Sequence, residues 1–122
     1  MVRRPDTVDV GPFDELAEGR MRIVDVQGLR IGVVRIGTEA FAVHDRCPHQ
    51  GAPICRGPIT SRIGFEDGEV ITLPGEPVLV CPWHHWEFDL RSGRSLFDEH
   101  YRVRTFRTEL VDGCVRVWLR DG

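Results

Sequence analysis

The sequence lacks an excess of basic residues: 16 Lys and Arg stand against 19 Asp and Glu, for a formal net charge of −3. A chain without a basic face has little with which to neutralise a phosphate backbone, which argues against a nucleic-acid partner. Long apolar runs are also missing. Stretches such as Val78-Leu79-Val80-Cys81 fall far short of the ~20 residues that cross a bilayer as a helix. Arg3-Arg4 begins like a twin-arginine export signal, but Pro5-Asp6-Thr7-Val8-Asp9 follows where an apolar segment would be needed. The pair therefore reads as solvated charge, and a cytoplasmic location with no membrane partner is the expectation. There is no internal repeat and no low-complexity tract. With 41% apolar residues the composition is that of a globular chain. The length points to one domain over residues 1–122, with room for a core but not for a second catalytic domain.

Helix signals are scarce as well. Only Phe13 to Gly19 reads as a helical turn, ending at its glycine. Strand signals recur instead, with turn residues between them. Met21–Val26 is rich in β-branched residues, Gln27-Gly28 turns, and Leu29–Ile36 alternates apolar residues with Arg or Gly. Gly37-Thr38-Glu39 turns again, and Phe41–His44 leads into Cys47. Further strands are expected at Val78–Cys81, Trp86–Leu90 and Tyr101–Leu110. Asp112-Gly113 is a hairpin signal before Val115–Leu119. The expected class is an all-β sandwich or barrel of antiparallel strands.

Four cysteines are present: Cys47, Cys55, Cys81 and Cys114. An even count permits two disulfides, but in a chain without an export signal metal ligation is favoured. Two segments carry the chemistry: Cys47-Pro48-His49-Gln50-Gly51-Ala52-Pro53 and Cys81-Pro82-Trp83-His84-His85-Trp86-Glu87-Phe88-Asp89. Each offers a thiolate and an imidazole in a tight turn, with a proline after the cysteine that fixes φ and removes a donor. Gly51 permits a sharp bend after the first histidine. Cys2His2 also suits structural zinc, although a single residue between Cys and His is unusual there. Four donors in two framed loops are hard to explain by core packing alone.

The pattern C-x-H, then 31 residues, then C-x-x-H resembles the Rieske signature. Gly51, Pro82-Trp83, Trp86-Glu87-Phe88-Asp89 and Ser92-Gly93 strengthen the likeness, which extends over most of the chain. The resemblance implies an all-β Rieske-type fold whose cluster-binding subdomain of two loops lies at about residues 45–92. It implies one [2Fe–2S] cluster, with Cys47 and Cys81 on one iron and His49 and His84 on the other. Histidine ligation lowers the negative charge on its iron and raises the potential relative to an all-cysteine cluster. His85 is a departure from the small residue usual beside the second histidine. His44 and His100 read as surface or satisfied histidines, Cys114 as a small core residue, and Trp83, Trp86 and Phe88 as cluster shields or core filling.

High-potential Rieske proteins add a disulfide between the loops and serine and tyrosine hydroxyls near the cluster. The matching positions here are Ala52, Trp83, Trp86 and Phe88, which supply neither. Fewer donors leave more negative charge uncompensated, so the resemblance implies the low end of the Rieske range, roughly −150 mV. Compact Rieske ferredoxins have a shorter segment between the loops. The extra stretch, about 60–77, is expected to form a hairpin or extended loop. Its Glu66, Asp67, Glu69 and Glu76 suit either solvent or a positive partner.

The family implies an electron carrier that takes electrons from a flavoprotein or other reductase and passes them to an oxygenase. A small subunit of a larger redox enzyme, like that of a nitrite reductase, is the alternative; a zinc-stabilised interaction module is a third. A ring-hydroxylating oxygenase large subunit is disfavoured. Nothing groups two of His44, His85 and His100 with a carboxylate to form its second iron site.

Overall fold

The structure is a computed structural model that describes residues 6–120, so the Arg3-Arg4 pair lies outside the described residues. Nine strands follow one another: β1 (Thr7–Pro12), β2 (Arg22–Val26), β3 (Leu29–Ile36), β4 (Glu39–His44), β5 (Ile59–Glu66), β6 (Glu69–Val80), β7 (Glu87–Asp89), β8 (Thr105–Val111) and β9 (Cys114–Trp118). Two 3-10 turns, Phe13–Glu15 and Ile54–Arg56, are the only helical elements among the described residues. None is long or apolar enough to cross a membrane. The chain divides into two compact units, one within Met1–His44 and Thr105–Gly122, the other Asp45–Arg104.

In the first unit six antiparallel strands form one nearly closed, barrel-like sheet in the order β1-β9-β8-β4-β3-β2. Its turns obey local chemistry. Gln27-Gly28 and Asp112-Gly113 both adopt positive φ, 51° then 80°, the combination that matches the twist of a two-residue hairpin. The core gathers Ile31 and Val33 of β3, Ala42 of β4, Phe106 of β8, and Val115 and Val117 of β9. Leu16 and Leu119 close it. Ala42 apart, each such side chain contributes about 1.5–3 kcal/mol on burial, as an upper bound. Ala42 pairs with both Val33 and Phe106, so β4 ties the two hairpins into one sheet.

The second unit holds a three-stranded sheet in the order β5-β6-β7. The segment 60–77 is most of a long hairpin turning at Asp67-Gly68. Its register breaks once. Ser61 faces Pro77 and Arg62 faces Leu73, leaving Pro74, Gly75 and Glu76 bulged from the ladder. Proline cannot donate there, and the Gly75 carbonyl accepts from the Arg91 guanidinium at 3.0 and 3.1 Å. Beyond the bulge β6 sinks into the interior, with Val78, Leu79 and Val80 buried beside Phe88 and Leu90.

Three local expectations need correction. Tyr101–Arg104 is not strand. Its backbone is tied to the loop before it, Ser95 N–H donating to the Tyr101 carbonyl and Val103 N–H to that of Gly93, so β8 begins at Thr105. The turn after Phe13 ends at Leu16, well before Gly19. Cys114 is only half-buried where β9 opens, opposite Val111 and Pro12, and is not part of the core.

Candidate metal centre

The two motif segments share one backbone frame. In the first, Cys47 N–H donates to the Ala52 carbonyl (2.8 Å) and Gly51 N–H to that of Cys47 (2.7 Å). In the second, Cys81 N–H donates to Trp86 (2.7 Å) and His85 N–H to Cys81 (3.0 Å). Each loop thus closes from a cysteine onto the residue five later, and the fourth residue must be left-handed: Gly51 at φ 72° and His85 at 58°. The oddity of His85 is therefore conformational: it fills a position that favours glycine.

Within this frame the cysteines lie inside and the histidines outside. Cys47 and Cys81 are 1% exposed, His49 is half-buried and His84 is exposed. The imidazole centroids are 5.3 Å apart with perpendicular planes. Trp86 stacks on His49 at 4.0 Å, and Tyr101, the only tyrosine of the chain, packs edge-on against both. Phe88 is fully buried core, whereas Trp83 is 55% exposed beside His84. The three aromatics of the second motif therefore have three different roles. Sequence reasoning gave Tyr101 no place here; its distance from both motifs hid it.

Other groups hold the frame. Asp45, buried just before the first loop, accepts from the Cys55 N–H at 2.8 Å and so anchors the 3-10 turn that follows. A buried amide left without that acceptor would cost about 1–3 kcal/mol. His100 is largely exposed and bonded to the Asp98 carboxylate at 2.8 Å, a satisfied surface histidine. Its backbone N–H, then its ring, hold the Asp98 carboxyl below the usual range.

The donor set fits a binuclear cluster. His49 Nδ1 is buried and has no hydrogen-bond partner, a costly condition that ligation would relieve. The thiols of Cys47 and Cys81 are neighbours and the imidazoles of His49 and His84 face each other at 5.3 Å, two pairs of donors that would suit the two irons of such a cluster. All four cysteines are free thiols. Burial pushes the Cys47 thiol above its ordinary 9.0, and the neighbouring Cys81 thiol adds to the rise. Bound iron would reverse this, since a coordinated thiol is deprotonated outright.

A raised folded-state pKa favours the protonated fold. The iron-free protein should therefore keep this contribution to stability below about pH 9 and lose it as pH rises through the Cys47 value. Denaturant unfolding of iron-free wild type and Cys47→Ala from pH 7 to 11 checks this; only wild type should show the alkaline loss.

Comparison with known proteins bears on the same residues. The ferredoxin subunit of anthranilate 1,2-dioxygenase from Burkholderia cepacia is 32% identical over 109 residues, covering 88% of this chain and 87% of that protein. The ferredoxin component of an alkene monooxygenase system from Xanthobacter autotrophicus is 27% identical over 110 residues, covering 90% and 79%. The solved ferredoxin of carbazole 1,9a-dioxygenase from Nocardioides aromaticivorans superposes with a TM-score of 0.75 over 95% of this chain and all of that one, at 24% identity. The family model of the Rieske [2Fe-2S] domain matches residues 6–107, both cysteine–histidine loops included. The chain belongs to the Rieske [2Fe–2S] family and carries one cluster of that type.

Proposed function

We propose that Cys47, His49, Cys81 and His84 hold the cluster and that the chain is a cytoplasmic one-electron carrier between a reductase and an oxygenase. The observation that carries this reading is the burial gradient across the donors: both cysteines inside, His84 at the surface. The cluster, when bound, supplies a site that gains and loses a single electron. The residues do the rest. The shared turns hold two donors each, Trp86 fixes the plane of His49, and Trp83 and His84 face outward where a partner can touch them. No hydroxyl stands at Trp86 or Phe88, so the potential is expected near the low end of the family range, roughly −150 mV.

Support for the oxygenase partner comes from the two ferredoxin relatives, both components of oxygenase systems. EPR of the dithionite-reduced protein tests the ligand set. A rhombic signal with average g below that of all-cysteine clusters is expected; a colourless, zinc-containing protein would refute it. A midpoint well above zero in a redox titration would refute the account of the potential.

A fixed small-subunit role is the second reading. A protein proposed to be the small subunit of an NADPH nitrite reductase superposes with a TM-score of 0.70 at 26% identity, over 91% of this chain and 96% of that one. Stoichiometric co-purification with a large redox subunit would favour this reading; isolation alone as a reducible protein would favour the carrier.

A further inference from the structure

The β5–β6 hairpin carries the whole net charge of the chain. Ile59–Val80 contains Arg62 against Glu66, Asp67, Glu69 and Glu76, a formal −3, and the full sequence is also −3, so the remaining residues balance to zero. Glu76 lies within 3.9 Å of Arg62. Glu66, Asp67 and Glu69 are exposed at the tip, where Glu66 faces Glu69 across the ladder, and no ion pair among the described residues engages their carboxylates.

The hairpin is also apolar where it need not be. Phe65 faces Val70 across the ladder, with Ile63 two residues away on the same face, and they are 75%, 62% and 63% exposed. The opposite face is better filled, with Leu73 against Gly64. At the base of the hairpin a groove of about 630 Å³ is lined by the apolar Ile63, Leu73, Leu96 and Phe97 and by the charged Arg62, Glu76 and Glu87. Glu87 pairs with Val80 and follows Trp86, so this surface adjoins the second loop. β5 is eight residues long, roughly 26 Å at strand rise. A standard interface of about 800 Å² per partner is roughly 30 Å across and can span hairpin and loop together.

We propose that this hairpin is a docking arm for a redox-partner protein whose contact surface is apolar and rimmed by arginine or lysine. An unpaired acidic tip beside exposed Phe65, Val70 and Ile63 complements such a surface in both charge and polarity. A second copy of this chain is a poor occupant, because its own acidic tip would be repelled. The inference rests on the carrier reading and names the kind of partner that carrier meets.

The test uses the reduced holoprotein in stopped flow, with ferricytochrome c, a basic one-electron acceptor protein, as probe and a small neutral quinone as control. Glu66→Gln/Asp67→Asn/Glu69→Gln should slow reduction of cytochrome c about tenfold at low salt and flatten its salt dependence. Phe65→Ser should slow it several-fold at every salt concentration. In both variants the EPR signal, the midpoint and the quinone rate should stay at wild-type values. Wild-type cytochrome c rates in both variants would overturn the docking arm alone. So would an effect of charge without one of Phe65, which is the signature of a long-range field and not of contact. A sedimenting dimer that Phe65→Ser splits would assign the face to a second copy, and overturn it too. A wild type that reduces neither acceptor removes the carrier reading and the docking arm with it.

Discussion

Gly57→Ala is expected to yield a protein that folds poorly and fails to hold iron. A β-carbon on Gly57 would lie 1.6 Å from the carbonyl oxygen of Val80 and 2.9 Å from its carbonyl carbon. The obstacle is backbone, so no rotamer change relieves it. Gly57 has an ordinary φ of −77°, and the effect is therefore purely steric. The contact is locked on both sides. Gly57 N–H donates to the Ile54 carbonyl at 3.0 Å, and Val80 N–H donates to that of Pro58 at 3.0 Å. To admit a methyl group, the strand bearing Val80 must part from the turn that follows the first loop. Val80 directly precedes Cys81, so the displacement falls on one of the two buried thiols. Overpacking typically costs 1–3 kcal/mol, and a backbone clash of this depth is placed at about 3 kcal/mol or more. The visible absorption of protein purified with iron, together with its thermal midpoint, checks this. A coloured Gly57→Ala protein with a wild-type midpoint would contradict the close approach.

The second large effect separates two neighbouring histidines. His84→Ala should lose the cluster, whereas His85→Gly should keep it with unchanged EPR. His84 shares the turn of Cys81 and lies 5.3 Å, ring to ring, from His49. His85 supplies its N–H to the turn and holds φ 58°, a cost of about 1 kcal/mol or more for a residue with a β-carbon. Glycine removes that cost and returns part of it as unfolded-chain entropy, about 0.5–1 kcal/mol. Stability should therefore be equal to wild type or slightly higher. Iron content, EPR and thermal melts on both variants give the answer. Loss of the cluster in His85→Gly with retention in His84→Ala would move the ligand by one residue.

Much of this centre is legible in the sequence because its parts are short-range. A cysteine, a proline, a histidine and a turn residue stand within five positions, and the geometry they need is local. The hairpins at Gln27-Gly28 and Asp112-Gly113 are legible for the same reason: two residues set the turn. β1 is not, since Asp9, Gly11 and Pro12 blur its alternation and pairing with β9 imposes the strand from outside. Tyr101–Arg104 misleads in the opposite way. It alternates like a strand, yet its hydrogen bonds go to Gly93 and Ser95 and no neighbouring strand takes them. Asp45, Gly57 and Tyr101 have no motif to announce them. Each acts through a residue ten or more positions away, and that contact exists only once the chain is folded.

The loops share a frame, but their histidines follow the cysteine by two residues in one and by three in the other, and one imidazole lies under an indole while the other stands in the open. The two are therefore not interchangeable portals. His49 is roofed by Trp86 and flanked by Tyr101, while His84 is exposed and meets only the edge of the His49 ring. With the proposed ligand set, a visiting protein would meet a gate with a single open leaf, and the direction from which it takes an electron would be set before it arrives.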